Sequence, residues 1–213
     1  MAIWPGAGSG MTEQPEFSTN YYQKKTIFEL LPNTENEIIF LGNSITDGGE
    51  RMELFSNSNI KNRGISGDVI RGVLYRLDEV TESNPIWVFI MIGINDLAIG
   101  REPDGVIKDY ARILDRIRES NPGMKIYIQS ILPVNDSFGQ FEDHTSKAME
   151  IKQVNSKLEI MAKQRHCEYI NLDPVFADES GRLKANFTND GLHLTGPGCI
   201  AWKHGIEIYL NAQ

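Results

Sequence analysis

The sequence contains a serine, an aspartate and a histidine whose types and settings suit acyl-transfer chemistry. Ser44 follows a short apolar run and opens a turn, where backbone N–H groups favour a developing negative charge. Asp190 precedes His193 by three residues, so both side chains can point the same way. The imidazole can take the serine proton while the carboxylate holds its other nitrogen. We therefore predict Ser44, Asp190 and His193 as the catalytic residues.

Two further residues could stabilise the oxyanion of a tetrahedral intermediate. Asn95 offers a side-chain amide, and Gly67 offers a backbone N–H that an ester oxygen can approach closely because no Cβ is present. Each residue also has an ordinary structural explanation. Ser44 would cap a helix, Gly67 would supply a positive φ, and Asn95 would form a loop turn.

The other polar residues near Ser44, Gly67, Asn95 and His193 are predicted to be structural. Asp47, Asp68 and Asp96 each lie one to three residues after a motif residue and are expected to bond loop backbone. The remaining histidines have neither metal-ligand spacing nor a motif around them, and we expect surface or helix-end positions for His144, His166 and His204.

Five short runs rich in β-branched or aromatic residues could be the strands that position these groups. They are Ile38–Leu41, Asn59–Asn62, Ile86–Ile92, Ile126–Ile128 and Glu168–Ile170. Between or after them lie segments with helical spacing, namely Val69–Val80, Val106–Ser120, Lys147–Gln164 and Pro197–Leu210. Strands separated by helix-length crossovers run parallel, so the sequence predicts a three-layer α/β/α sandwich. Ser44, Gly67 and Asn95 follow strands, at the carboxyl edge where such sheets bind ligands, and the cluster of Asp190 and His193 precedes the last helix.

Length and composition are those of an ordinary globular protein. The chain has 213 residues, of which 40% are hydrophobic and 23% charged. We expect residues 17–213 to form one domain. The Gly-, Pro- and Ser-containing start predicts a flexible arm, or a remnant added for expression, over residues 1–16.

Charge and hydropathy exclude several classes of partner. A formal charge of −8 argues against a nucleic-acid partner, which requires a concentrated basic surface. The longest apolar run, Ile86–Ile94, is too short for a transmembrane segment and indicates a soluble protein. The compartment stays open between the cytoplasm and export with a removed signal. Cys167 and Cys199 are expected to be free and mostly buried thiols.

Taken together, four clusters resemble the SGNH subgroup of the GDSL esterase and lipase family. The serine, glycine, asparagine and histidine of that subgroup correspond, in its order, to Ser44, Gly67, Asn95 and His193. The stretch from Asn62 to Leu77, and Leu192-His193-Leu194-Thr195, are most similar to the platelet-activating-factor acetylhydrolase-like branch. One position departs from the family pattern, because Asn43 precedes the serine where aspartate is usual. We expect activity to survive this change.

The resemblance implies a flavodoxin-like five-stranded parallel sheet of order 2-1-3-4-5. It also implies ester hydrolysis through an acyl-enzyme, with the N–H groups of Ser44 and Gly67 and the Asn95 amide holding the oxyanion. No metal or organic cofactor is required. Oligomeric state is not readable from the sequence, and the related subunits make a homodimer one candidate assembly.

A small acetyl ester, such as an O-acetylated sugar or lipid, is the expected substrate. The compact length leaves little chain for a lid or a long acyl tunnel. Two alternatives stay open. One is lysophospholipase or thioesterase activity on longer acyl chains, and the other is a non-catalytic carbohydrate-binding relic of a hydrolase.

Overall fold

A computed structural model of the chain describes residues 16–210. The predicted arm lies outside the described residues except for Glu16. The strands are β1 (Ile38–Gly42), β2 (Ile60–Gly64), β3 (Trp87–Met91), β4 (Lys125–Gln129) and β5 (Glu168–Ile170). The helices are α1 (Thr19–Leu30), α2 (Ser44–Asp47), α3 (Arg51–Phe55), α4 (Ile70–Tyr75), α5 (Asp78–Thr81), α6 (Ile94–Ala98), α7 (Pro103–Ser120), α8 (Glu142–Thr145), α9 (Ala148–Gln164), α10 (Asp173–Phe176) and α11 (Gly196–Leu210). Two 3₁₀ turns cover Asp136–Phe138 and Ala185–Phe187.

The five strands form one parallel sheet in the order β2-β1-β3-β4-β5, which confirms the predicted topology. All five residues of β1 are buried, as are the last four of β3. Strands near the middle of a parallel sheet are covered on both faces and are apolar at nearly every position for that reason. The sheet is therefore enclosed by helices on both sides, in the expected three-layer arrangement.

Helix α11 covers a row of aromatic rings on one face of the sheet. Phe40 of β1 pairs in register with Phe89 of β3, and Phe89 pairs with Tyr127 of β4. Their rings stack at centroid distances of 4.7 Å and 4.2 Å. Trp202 of α11 contacts the Phe40 ring edge-on at 5.1 Å. This contact fixes the helix that follows the predicted Asp190–His193 turn against the centre of the sheet.

Helix α7 covers the opposite face and begins earlier than predicted. It starts at Pro103, a residue suited to the first helical position because its missing N–H has no intrahelical acceptor there. Its fully buried apolar side chains are Val106, Tyr110, Ile113, Leu114 and Ile117. α7 is the longest helix among residues 16–210, and no helix in that range is both long and apolar enough to cross a bilayer.

The single helix predicted over Val69–Val80 is wrong, since the structure has two short helices there. α4 ends at Tyr75, and α5 begins at Asp78. Between them Arg76 leaves helical geometry, with φ −112° and ψ 12°. Its buried guanidinium bonds Asp68 and Glu79, contacts that periodicity alone cannot reveal.

Helix α1 was not predicted. Ser18 caps its start by accepting a hydrogen bond from the Tyr21 N–H at 3.1 Å. Only Tyr21 and Phe28 are buried in this helix, so no stripe at three- and four-residue spacing marks it in the sequence. The Tyr21 hydroxyl donates to the Gly72 carbonyl of α4 at 2.7 Å and ties α1 to the rest of the fold.

The two cysteines are free, as predicted, but are less buried than expected. Cys167 and Cys199 are both half-exposed. Cys167 directly precedes β5, and Cys199 lies in the first turn of α11. Neither residue lies in the interior of the sheet core.

Candidate active site

Ser44 is the first residue of α2 and lies just beyond the carboxyl end of β1. The side-chain oxygen of Asn43 accepts a hydrogen bond from the Ile45 N–H at 3.1 Å and caps the short helix. Gly42 has no room for a side chain, because an added Cβ would lie 2.5 Å from the Met91 carbonyl oxygen. The turn is therefore fixed against β3, with the Ser44 side chain half-buried.

Two consecutive hydrogen bonds join Ser44 to the predicted base and its partner. Ser44 Oγ lies 3.0 Å from His193 Nε2, although 149 positions separate the two residues. His193 Nδ1 lies 2.7 Å from Asp190 Oδ2. Because a carboxylate only accepts, Nδ1 carries the hydrogen and Nε2 is left to accept from the serine hydroxyl. The structure thus brings the three side chains into one row with proton-transfer distances.

Asp190 is held by backbone as well as by the ring. Its Oδ1 accepts hydrogen bonds from the N–H groups of Leu192 and His193, both at 2.8 Å. Burial alone would raise the pKa of Asp190, but these bonds and the His193 ring outweigh it and hold the pKa below the usual value. Asp190 is therefore ionised at neutral pH and oriented toward Nδ1.

The turn between Asp190 and His193 requires Gly191. This residue has φ +84°, and an added Cβ would lie 2.1 Å from the Asn135 carbonyl oxygen. The Asn135 N–H in turn donates to the Gly191 carbonyl at 2.8 Å. The loop after β4 therefore supports the turn that carries the predicted acid–base pair.

Gly67 lies in an open position beside the serine turn. It has φ +79°, and no atom lies within 4 Å of where a Cβ would be. The preceding Ser66 is tied to Asp47, whose Oδ2 accepts from both the Ser66 N–H and its hydroxyl. Among residues 16–210 no acceptor is bonded to the Gly67 N–H. A substrate oxygen can therefore reach this donor.

Asn95 lies in the first turn of α6 and is almost fully buried, with 8% of its surface exposed. Its Nδ2 donates to the Asp68 carbonyl at 2.7 Å, directly beside Gly67. Its Oδ1 is 3.0 Å from His144 Nε2. One hydrogen of the Asn95 amide remains without an acceptor among the described residues. The two contacts thus fix the amide and leave one of its N–H groups free to donate.

His144 is a member of this cluster that sequence reasoning missed, although it lies in the last turn of α8, in agreement with the predicted surface or helix-end position. It lies in α8, is half-buried and contacts Asn95 across 49 positions of sequence. His166 and His204 are exposed, as predicted. One sequence cue could have found His144, because the loop that carries it follows the carboxyl end of β4, where ligands gather in such sheets.

Phe141 is a second site residue that sequence reasoning missed. Its ring meets the His193 ring edge-on at a centroid distance of 5.0 Å, and 44% of its surface is exposed. Its backbone is left-handed, with φ +51°, which is unusual for a bulky residue and often marks a functional segment. Phe141 therefore forms an apolar wall beside His193.

The three aspartates predicted to be structural make the expected backbone contacts. Asp47 accepts from the Ser66 N–H, Asp68 from the Val69 N–H at 2.9 Å, and Asp96 from the Ile70 N–H at 3.0 Å. Asp68 and Asp96 are nearly inaccessible to solvent, and burial raises the pKa of each carboxyl to about 6.

A buried group of four charged side chains lies beneath the Gly67 loop. Arg76 donates to Asp68 at 2.9 Å and to Glu79 at 3.2 Å, and Arg63 donates to Glu79 at 3.1 Å. Arg76 also bonds the carbonyl oxygen at Arg63 and that of Gly42, which connects the ends of β1 and β2. We call Arg63, Asp68, Arg76 and Glu79 the buried ion network.

A protein-family model for the GDSL-like lipase/acylhydrolase family matches residues 40–199. The chain belongs to this family. Its resemblance to the platelet-activating-factor acetylhydrolase branch is also confirmed. Subunit alpha2 of platelet-activating factor acetylhydrolase IB from Rattus norvegicus is 26% identical over 170 residues, covering 77% of this chain and 71% of that one.

Solved structures agree with the family assignment. A GDSL-like lipase from Bacteroides thetaiotaomicron superposes with a TM-score of 0.78 at 25% identity, covering 90% of this chain and 97% of that one. An acetyl-xylooligosaccharide esterase from Geobacillus shares the fold at 16% identity, with a TM-score of 0.69 over 85% and 96% of the two chains. This member of the GDSL-like family is a carboxylic-ester hydrolase.

Within residues 16–210, no group of three or more histidine, cysteine or acidic side chains could hold a metal ion. The site instead combines one hydroxyl, one imidazole, one ionised carboxylate and several N–H donors. That donor and acceptor set suits acyl transfer to a serine.

Proposed function

We propose that the protein hydrolyses small carboxylic esters, acetyl esters above all, through an acyl-enzyme on Ser44. The observation that carries this proposal is the continuous row from Ser44 through His193 to Asp190, with bonds of 3.0 Å and 2.7 Å. Such a row activates an otherwise weak nucleophile, because the histidine accepts the hydroxyl proton during attack.

Acylation begins when Ser44 Oγ attacks the ester carbonyl carbon and His193 Nε2 takes the hydroxyl proton. Asp190 stabilises the resulting imidazolium, to which its pKa below the usual range is suited. The N–H groups of Ser44 and Gly67 and the Asn95 amide stabilise the oxyanion. The intermediate collapses, His193 returns the proton to the leaving alkoxide, and the alcohol departs.

Deacylation repeats the sequence with water in place of the serine. His193 takes a proton from water, whose oxygen attacks the acyl carbon, and a second oxyanion forms at the same donors. Collapse expels Ser44 Oγ, which recovers its proton from His193, and the carboxylic acid leaves. The same three donors therefore serve both halves of the reaction.

An acetyl group on a sugar or lipid is the proposed substrate. The acetylhydrolase subunit from Rattus norvegicus and the acetyl-xylooligosaccharide esterase from Geobacillus both carry acetyl in their names. The exposed Phe141 ring beside His193 offers an apolar surface for the alcohol portion. Aromatic faces of this kind pack well against the C–H groups of a sugar ring or a glycerol backbone.

Ser44→Ala tests the chemistry. Turnover of p-nitrophenyl acetate should fall on the order of 10⁴-fold or more, because residual rate then comes only from binding and oxyanion stabilisation. Ser66→Ala is the matched control, since this nearby serine bonds Asp47 and takes no part in the proposed reaction. A fluorophosphonate should label Ser44 in the native protein, and the absence of any label would favour a non-catalytic relic.

The dependence of kcat/KM on acyl-chain length tests the proposed preference for acetyl esters. We expect kcat/KM for p-nitrophenyl acetate to exceed that for the octanoate, and a panel of acetylated sugars and phospholipids to identify the alcohol. Faster turnover of the octanoate would replace the acetyl assignment with a lysophospholipase or thioesterase while leaving the serine mechanism intact.

A further inference from the structure

The orientation of the Asn95 amide is set by its two neighbours. The Asp68 carbonyl can only accept, so the group facing it at 2.7 Å must be the amide nitrogen of Asn95. Oδ1 then faces His144 Nε2 at 3.0 Å, and this ring nitrogen must carry a hydrogen. A rotated amide would place oxygen against oxygen at Asp68, so the two contacts select one orientation.

The backbone of the segment that carries His144 is held in one conformation by several hydrogen bonds. The left-handed Phe141, with φ +51° and ψ +45°, precedes α8, and its carbonyl accepts the N–H groups of His144 and Thr145 at 2.8 Å. The Thr145 hydroxyl also bonds this carbonyl, at 3.2 Å. An unfavourable backbone conformation persists only where the surroundings hold it, and such segments cluster at functional sites.

The protonation state of His144 is compatible with its contact to Asn95. Burial lowers the pKa of His144, Asp143 opposes that effect, and the nearby His193 adds to it. His144 is therefore neutral at pH 7, and its single ring hydrogen is at Nε2, where Asn95 accepts it. His193 carries its hydrogen at Nδ1, so the two imidazoles hold opposite tautomers.

We propose that His144 is a positioning residue of the oxyanion site: its Nε2–H fixes the Asn95 amide so that the free Nδ2 hydrogen points to the developing oxyanion. This inference rests on the proposed function of Ser44 and Asn95. His144 does not touch the reacting atoms, and its effect acts wholly through Asn95. Without that bond the amide loses one of two contacts and rotates among orientations that present oxygen instead of nitrogen.

The test uses three substitutions measured with p-nitrophenyl acetate. His144→Phe keeps an aromatic ring and removes the donor, and we expect kcat to fall roughly 10- to 100-fold with KM within about twofold. His144→Gln places an amide N–H near the position of Nε2 and should recover most of kcat. His204→Phe, at an exposed histidine of α11, should leave kcat and KM unchanged.

A double-mutant cycle separates positioning from general structural damage. In an Asn95→Ala background the substitution His144→Phe should cost less than twofold, since the group it orients is gone. An equal loss in both backgrounds, or a Gln variant no better than the Phe variant, would overturn the inference. Ser44→Ala is measured in parallel, because turnover that survives it refutes the proposed function itself, whereas a null effect at His144 refutes only the positioning role.

Discussion

Two acid–base pairs in this protein use the same kind of contact in opposite surroundings. Asp190 meets His193 at 2.7 Å near the surface, where 15% and 31% of the two side chains are exposed. Asp68 meets Arg76 at 2.9 Å, where both side chains are fully buried. Hydrogen bonds hold the pKa of Asp190 below its usual value, whereas burial raises the pKa of Asp68 to about 6.

This difference in burial means that the Asp190–His193 pair can move protons, whereas the Asp68–Arg76 pair supports structure. His193 lies within reach of both the Ser44 hydroxyl and solvent, and an imidazole can take and return a proton. The Arg76 guanidinium only donates, and it bonds two backbone carbonyls near the ends of β1 and β2. The buried ion network therefore shapes the loops at the sheet edge, and the exposed pair carries the proposed chemistry.

The largest effect should follow from changing the exposed pair. Asp190→Asn keeps the oxygen that accepts the Leu192 and His193 N–H groups, but it presents an amide to Nδ1 and reverses the imidazole tautomer. We expect kcat/KM to fall about 10⁴-fold, or roughly 5 kcal/mol, with folding unchanged. Asp178→Asn is the control, since this exposed aspartate makes similar turn contacts but bonds no histidine among residues 16–210. Comparable losses in both variants would contradict the assigned role.

The next effect should come from the buried pair and should appear in stability. Arg76→Met leaves the buried Asp68 carboxylate without its cation and leaves Glu79 paired with Arg63 alone, which typically costs about 3–5 kcal/mol. The exposed Arg112, paired with Asp109, provides the control Arg112→Met, expected to cost under about 1 kcal/mol. Urea unfolding measures both. Equal urea midpoints for Arg76→Met and Arg112→Met would contradict the structural role of the buried ion network.

A pH titration of stability sharpens the same comparison. Burial raises the pKa of Asp96 to about 6, so the folded state binds its proton more tightly than the unfolded state. This contribution is fully present below pH ~4 and is lost as pH rises through about 6. The free energy of unfolding of the wild type, relative to Asp96→Asn, should therefore fall by roughly 3 kcal/mol between pH 4 and 8. Asp109, whose pKa is lowered despite partial burial, should show the opposite sign. If the difference in unfolding free energy between the wild type and Asp96→Asn did not change with pH, protonation of Asp96 would not be linked to stability.

The smallest effect is expected at Asn43, the departure from the usual family motif. Asn43→Asp keeps an oxygen for the Ile45 N–H, so the serine turn should survive. We expect kcat/KM with p-nitrophenyl acetate to change less than about fivefold, that is by about 1 kcal/mol or less. A gain of 100-fold or more would mean that the asparagine has weakened the site, and would revive the non-catalytic alternative.

The sheet could be predicted from the sequence because its signals are local. Runs such as Ile86–Ile92 are apolar at nearly every position and have helix-length spacers, which fixes a parallel arrangement. The break at Arg76 and the helix Thr19–Leu30 could not be predicted in this way. The first depends on ion pairs within a buried network, and the second buries only Tyr21 and Phe28.

The candidate site was predictable where residues follow strands in a recognisable order. Ser44, Gly67 and Asn95 follow strands, His193 stands in a cluster before the last helix, and the structure brings the Ser44 and His193 segments together. His144 has no signal beyond the position of its loop after β4, because its contact with Asn95 joins α8 to α6 only after folding. A tertiary hydrogen bond of this kind is invisible to spacing and periodicity.

The 149 positions between Ser44 and His193 also bear on synthesis of the protein. At ordinary ribosomal speeds of about 5–20 residues per second, the serine leaves the decoding centre roughly 7–30 s before its proposed base is made. The nascent polypeptide carries the proposed nucleophile without its proposed activator throughout that interval. On the proposed mechanism, hydrolytic capacity arises as a late event of translation, when the segment before α11 docks, and truncated translation products should be inert toward cellular esters.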